Sequence, residues 1–266
     1  VRTVLGPVDA SELGVTLMHE HAPAIDWAEL YEIDPAPIAP VRKQMLDFTV
    51  KLLDRFHQTL GTGQGPGAIV ECTPIRVGRY PQLLVDLAKK TPIHVIACTG
   101  FWCEALAPQH PWALALGRKR DGIKRIARLY TREITRGMED PYGDWGEDFT
   151  KVPVGIIKCA TSTFLRPSER RCHIAAAIAS RDTGCPITTH TTDGGGLAVA
   201  VADPEFRREA QEARRDGFGA KAVIHPKHVA PVNAAFTPTA EEIAWATRVL
   251  EAFAADPSAG VVRIDG

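Results

Sequence analysis

The sequence predicts an α/β fold: a TIM-type (β/α)8 barrel that is incomplete or irregular after its fifth strand. Three observations lead there. Short apolar runs alternate with stretches of helical spacing up to residue 192, the pattern of a parallel sheet with helical crossovers. The 266 residues give room for a barrel of about 250 residues in one domain. Polar residues of a few reactive types recur at the ends of the apolar runs, where barrel enzymes carry their chemistry.

Residues 1–14 hold Gly6, Pro7 and Gly14 and read as a short hairpin or lead-in. Strand one covers Thr16 to Met18 and ends at His19 and His21. Pro35 to Pro40 is a loop, and Val41 to Leu60 has helical spacing through Met45, Phe48, Leu52, Leu53 and Phe56. The glycine-rich stretch Gly61 to Gly67 lacks the Gly-Lys-Ser/Thr of a phosphate loop and precedes a strand, so it is a linker. Strand two is Ala68 to Cys72, followed by a helix over Pro81 to Lys90. Strand three is His94 to Cys98, with a helix over Gly122 to Met138. Strand four is Val154 to Lys158, with a helix over Pro167 to Thr183, and strand five is Pro186 to His190.

Beyond this point the pattern becomes irregular. Only Thr191 to Gly196 separate His190 from the apolar run Leu197 to Val201, whereas a parallel crossover needs about 10–12 residues. Pro204 to Asp216 reads as a helix, Lys221 to His225 as a strand, Thr239 to Ala254 as a helix and Val261 to Ile264 as a short terminal strand. An unfinished barrel leaves a sheet edge exposed, and the expectation is a homo-oligomer.

The candidate site follows from the strand ends. On a strand, residues i and i+2 share a side, so His19 and His21 project together and Glu20 faces away. Two neutral imidazoles aimed at one point are half of a zinc-type site; the alternative is one core histidine and one exposed. Glu71 ends strand two, Lys158 strand four and His190 strand five. Lys158 follows Val154-Gly155-Ile156-Ile157, and desolvation leaves more of its amine neutral. A neutral amine adds carbon dioxide to become a carbamate that can bridge two metal ions. The competing reading is an ion pair with Glu71 or another acid.

A formal net charge of −1 gives no long-range attraction to nucleic acid or an anionic membrane. No apolar run approaches the roughly 18 residues of a membrane span, and no signal peptide is visible. The six cysteines, Cys72, Cys98, Cys103, Cys159, Cys172 and Cys185, are scattered without a Cys-x-x-Cys pair. Reduced core cysteines of a cytoplasmic protein are expected.

Several stretches carry a family resemblance: Thr3 to Pro7, Leu13 to His21, Gly78-Arg79, Thr99 to Phe101, Glu133 to Met138, Gly155 to Ala160 and Thr183 to Thr191. Through them residues 1–192 resemble the phosphotriesterase family of the amidohydrolase superfamily. The resemblance implies a barrel with two divalent metals per site, zinc or another. His19 and His21 would hold the buried ion, carbamylated Lys158 would bridge, and His190 would hold the exposed ion. Tyr80 stands where Asp often follows Gly-Arg, and residues 141–151 look like an extra acidic loop.

After a junction at 193–202, residues 203–266 resemble the C-terminal part of the citrate lyase beta-subunit-like (HpcH/HpaI aldolase) family. The matching residues include Asp203 to Ala210, Lys221 to Pro226, Phe236 to Pro238, Glu241 to Ala246 and Ile264-Asp265-Gly266. They form the C-terminal part of the same barrel. The phosphotriesterase motifs for a second exposed-metal histidine and a proton-accepting aspartate are not found, and His225 and Asp265 are the speculative replacements. The leading expectation is a metal-dependent hydrolase of small-molecule esters, phosphotriester or lactone, impaired if those ligands are missing. The alternatives are an acyl-coenzyme A lyase, which binds magnesium, and a catalytically silent metal-binding homologue.

Overall fold

The computed structural model describes residues 1–22, 39–61, 63, 65–75, 77–101, 111–141, 143–144, 148–162, 165–191, 204–221, 223 and 228–264. The chain divides into two compact units, Val1–Asp193 and Gly194–Gly266.

The first unit opens with a hairpin of β1 (Arg2–Thr3) and β2 (Gly6–Pro7). Five strands follow: β3 (Thr16–Glu20), β4 (Ala68–Glu71), β5 (His94–Gly100), β6 (Ile156–Thr161) and β7 (Ile187–Thr191). They pair in chain order, each parallel to the next. Strands in sequential parallel order, joined by helices, make the curled, open part of an α/β barrel. The helices are α1 (Ala39–Gln58), α2 (Pro81–Ala88), α3 (Pro111–Arg118), α4 (Gly122–Arg136) and α5 (Pro167–Thr183). Among the described residues, β3 and β7 pair on one side only.

Alternation along the strands sorts the core into two layers. Ile69, Val95, Ala97, Ile157 and Cys159 pack in the larger cluster with helix residues such as Leu84, Leu87, Ile126, Leu129 and Ala176. On the opposite face Val70, Cys72, Ile96, Cys98 and Ile156 form a smaller cluster with Leu13 against it. With both faces covered, the strands read as unbroken apolar runs. Helix α4 buries Ile126, Ala127, Leu129, Tyr130, Glu133 and Ile134, one face at helical spacing. Helix α5 buries Cys172, Ala175, Ala176 and Ala179, and small side chains let it lie close to its neighbours. Pro167 starts it, and Gly184 ends it in the left-handed conformation at φ 71°.

One glycine sets the strand spacing beside the site. Gly100 has φ 126° and pairs with Lys158, and a Cβ on it would lie 1.8 Å from the Lys158 carbonyl oxygen. Only a residue without a side chain lets β5 and β6 meet there.

Several expected boundaries shift. Strand four does not end at Lys158: β6 begins at Ile156 and continues through Cys159 and Ala160 to Thr161, so Lys158 is its third residue. Gly155 precedes the strand because its backbone lies close to Arg2, whose carbonyl oxygen would be 2.4 Å from a Cβ there. Helix α3 was not anticipated; Pro111 at its start followed by alternating Ala and Leu is the signal.

The second unit contains α6 (Pro204–Arg215), α7 (Val229–Phe236) and α8 (Ala240–Ala255). Thr239 caps α8, accepting from the Glu242 amide while the Glu242 carboxylate accepts from the Thr239 amide. The terminal strand expected over Val261 to Ile264 does not form: that backbone is irregular and Val261 is 88% exposed. Apolar residues without a neighbouring strand to bond have no ladder to join. Of the strand expected over Lys221 to His225, Lys221 and Val223 are irregular and the rest lies outside the described residues. So do the run Leu197 to Val201, Cys103, His225 and Asp265.

Candidate functional site

A register shift in β3 aims the first two histidines. Leu17 pairs with Ile69 but Glu20 pairs with Glu71, so β3 holds one residue more than β4 between those pairs. Such a bulge bends the strand and re-aims its side chains. His19 lies in the bulge and His21 directly after the strand, their rings 5.5 Å apart and edge to face. His190, the fourth residue of β7, brings its ring to 5.3 Å from that of His19. Lys158 pairs with Thr188, two positions before His190. Its side chain is fully buried, and Nζ stands 2.7 Å from His19 Nε2, an N–H donating to an imidazole nitrogen. His19, His21, Lys158 and His190, drawn from three strands, are thus gathered around His19.

Burial and the nearby lysine keep the histidines neutral. Burial, followed by the charge of Lys158, pushes His19 down to about 3. The same two causes lower His21 and His190. Neutral imidazole is the ligand form of histidine.

The site has a second layer that the sequence reading did not identify. His21 Nδ1 lies 2.9 Å from Thr73 Oγ1, and the Thr73 hydroxyl donates to Glu71 Oε1. The Thr73 amide donates to the same oxygen at 3.1 Å. Glu71 is buried, and its other oxygen, Oε2, has no hydrogen-bond partner among the described residues. Burial pushes its carboxyl up to about 7 despite the opposing bonds from Thr73. Where the sequence left Lys158 open to pairing with Glu71, the lysine amine stands against His19 and Glu71 holds Thr73. Glu20, expected to face away, is half-buried, and burial raises its carboxyl.

These shifts fix a pH dependence. Below about 6.5 the unfolded chain binds protons at its histidines that the folded chain refuses, so stability falls with acidification through a window reaching about 3 for His19. Glu71 acts oppositely: from 4.5 to about 7 the unfolded carboxyl ionises while the folded one stays protonated, and stability is lost as pH rises. In Glu71→Gln, where the opposing carboxyl is gone, metal-free protein is therefore expected to melt lower at about pH 5 than at about pH 7, and adding His190→Gln to that chain should make the drop smaller. Glu71→Gln should raise the melting temperature at about pH 8 and leave it unchanged at about pH 4. A melting temperature that increases in Glu71→Gln on acidification to about pH 5 counts against the neutral cluster.

Among the described residues, no group of three or more His, Cys, Asp and Glu side chains is arranged to hold a metal ion by itself. The donor chemistry nevertheless fits a divalent ion: neutral imidazoles suit zinc, and three of them cluster where the buried Lys158 amine meets His19. Lys158 becomes a ligand only when its amine carries an oxygen donor, since at present it engages the His19 lone pair. Whether His225 and Asp265 join the group lies outside the described residues.

Comparison with known proteins gives a consistent result. The phosphotriesterase family model matches residues 1–202. A "Phosphotriesterase homology protein" of Mycobacterium tuberculosis is 31% identical over 195 residues, covering 73% of this chain and 55% of that protein. The N-acetyltaurine hydrolase of Rattus norvegicus is 28% identical over 237 residues, covering 81% of this chain and 62% of that one. A mutant organophosphorus hydrolase from Deinococcus radiodurans matches in fold with a TM-score of 0.59 at 24% identity, over 94% of this chain and 75% of that one. The chain thus spans little more than half the length of the first of these relatives. None of these matches supports a citrate-lyase-type segment over residues 203–266.

Proposed function

This chain belongs to the phosphotriesterase family, and from that membership we propose that it is a metal-dependent hydrolase of small esters, phosphotriesters or lactones. The observation that carries the reading is the gathering of His21, His190 and the buried amine of Lys158 around His19. His19 and His21 would hold one divalent ion and His190 the second. The neutral amine of Lys158 would add carbon dioxide, forming an N–C bond and releasing one proton, to give a carbamate between them. Divalent ions in this cluster would supply Lewis acidity toward a phosphoryl or acyl oxygen and a nucleophile at neutral pH.

The chain's own residues do the rest. Burial keeps the three imidazoles deprotonated and ready to donate lone pairs. Lys158 is itself fully buried, which keeps bulk water from its amine. His225 and Asp265 are proposed, on sequence grounds alone, as the remaining metal ligand and the proton acceptor.

Five described cysteines are buried thiols outside any disulfide, which supports a reducing, cytoplasmic setting. No helix among the described residues is long and apolar enough to cross a membrane. The one-sided pairing of β3 and β7 supports association into a homo-oligomer, and no nucleic-acid partner is proposed.

Metal analysis of the purified chain with a parallel hydrolysis screen tests the reading. Zinc or another divalent ion should co-purify or bind on titration, and an aryl phosphotriester, a lactone or N-acetyltaurine, the last taken from the rat relative's name, should be turned over only with metal present. Metal without turnover of any of the three would favour a silent homologue. Turnover of an acyl-coenzyme A thioester with magnesium would favour the lyase read from residues 203–266.

A further inference from the structure

We propose that Glu71 and Thr73 are positioning residues that fix the tautomer of His21, holding the proton on Nδ1 and the lone pair on Nε2. The inference deepens the metal reading above and rests on it for its consequence, though its first test does not need a metal.

The argument is a proton count along one hydrogen-bonded chain. Glu71 Oε1 accepts the Thr73 amide at 3.1 Å, and a backbone N–H can only donate. A carbonyl or carboxylate oxygen accepts a backbone N–H better than an acid hydroxyl does, so Oε1 takes the acceptor role and a proton on the carboxyl goes to Oε2, the oxygen with no partner among the described residues. The Thr73 hydroxyl also reaches Oε1 and has a single proton to give. With that proton donated to Glu71, Thr73 Oγ1 meets His21 Nδ1, 2.9 Å away, as an acceptor. Nδ1 must then carry the hydrogen, and a neutral ring so protonated has its lone pair on Nε2.

The backbone makes this arrangement rigid. Glu71 is the last residue of β4, and the Cys72 amide donates to the Glu20 carbonyl at 2.7 Å, tying the start of the relay to the strand that carries His19. The Cys98 thiol donates to the Thr73 carbonyl at 3.2 Å, anchoring the relay on β5 as well. Glu71 and Thr73 are both buried, so water does not compete for these bonds. A ligating histidine whose other nitrogen is held in this way keeps its ring orientation, and loss of such a partner costs about 10–100-fold in metal affinity.

The test uses the whole chain labelled with 15N-histidine, first free of metal. Imidazole 15N spectra, with His21 assigned by its loss in His21→Gln, should report the Nδ1–H tautomer in the parent and in Thr73→Ser. In Thr73→Val, an isosteric change, the signal should move toward Nε2–H; Thr73→Ala serves if the valine variant does not fold. Glu71→Gln keeps an acceptor oxygen for Thr73 and should resemble the parent, whereas Glu71→Leu should resemble Thr73→Val. Zinc affinity, measured against a chromogenic chelator, should fall about 10–100-fold in Thr73→Val and recover in Thr73→Ser. A Thr73→Val chain with the parent's Nδ1–H signal and the parent's zinc affinity overturns the inference. A parent that binds no zinc overturns the metal reading instead, and the tautomer spectra still decide the relay.

Discussion

A Lys158→Met chain is expected to load about one divalent ion where the parent loads about two, and to lose hydrolysis with the second. Lys158 is fully buried, so the change must keep volume; Met is unbranched, of similar length and adaptable in packing. The substitution removes the N–H that engages His19 Nε2 at 2.7 Å. His19 and His21 then keep their lone pairs for a first ion with no amine competing. What disappears is the only route by which this position supplies an oxygen donor between two ions. The same contact makes a second expectation for the parent. One lone pair on His19 cannot serve both an N–H and a metal, so converting the amine to a carbamate should ease loading, and occupancy should rise with added bicarbonate. Mass-spectrometric metal counting on parent and variant, with and without bicarbonate, checks both. Equal loading in the two chains, or a bicarbonate response that survives in Lys158→Met, overturns the carbamate bridge.

The strands that build the site were legible because each is a short apolar run bounded by helices, and that pattern directly reflects a sheet covered on both faces. The residues gathered at the site were legible for a related reason: His19, Lys158 and His190 interrupt those runs at positions a hydrophobic core would not choose. Their setting was harder to read. The pairing of His19 with His21 was drawn from strand alternation, yet the bulge between Leu17 and Glu20 places them, and a bulge is a property of two strands together. Lys158 was read at a strand end, whereas β6 continues to Thr161 because Cys159 and Ala160 also fit a buried strand. Thr73 carried no signal at all. Its role arises only when β3 lies beside β4 and brings His21 to its hydroxyl. The reverse error occurred at Val261 to Ile264, where composition suits a strand but no neighbour among the described residues supplies the hydrogen bonds.

The stretches Gly78-Arg79 and Glu133 to Met138 are separate motifs in the sequence, and the structure joins them in an ion pair whose disruption should be the most destabilising single change in the first unit. Arg79 Nη1 donates to Glu133 Oε2 at 2.9 Å and Nη2 donates to Oε1 at 2.5 Å, across 54 residues of sequence. Nη1 also donates to the Cys98 carbonyl at 2.7 Å, and Glu133 Oε1 accepts the Glu139 amide at 2.6 Å. The pair therefore ties the segment after β4 to β5, to α4 and to the chain leaving α4. Its side chains are 3% and 0% exposed. Burial disfavours the charged guanidinium, but the facing carboxylate outweighs it and the Arg79 pKa is raised. Glu133→Ala strips that carboxylate and leaves a buried cation beside an orphaned amide, a loss of about 3–5 kcal/mol. Replacing both partners by apolar residues of similar size, Arg79→Met with Glu133→Leu, removes the stranded charge and should recover much of that loss. Urea unfolding of Glu133→Ala gives the loss, and unfolding of Arg79→Met, Glu133→Leu and the double variant measures the coupling. If Glu133→Ala unfolds at the parent's urea concentration, the pair does not hold these segments together, and the first unit draws its stability from the apolar layers alone.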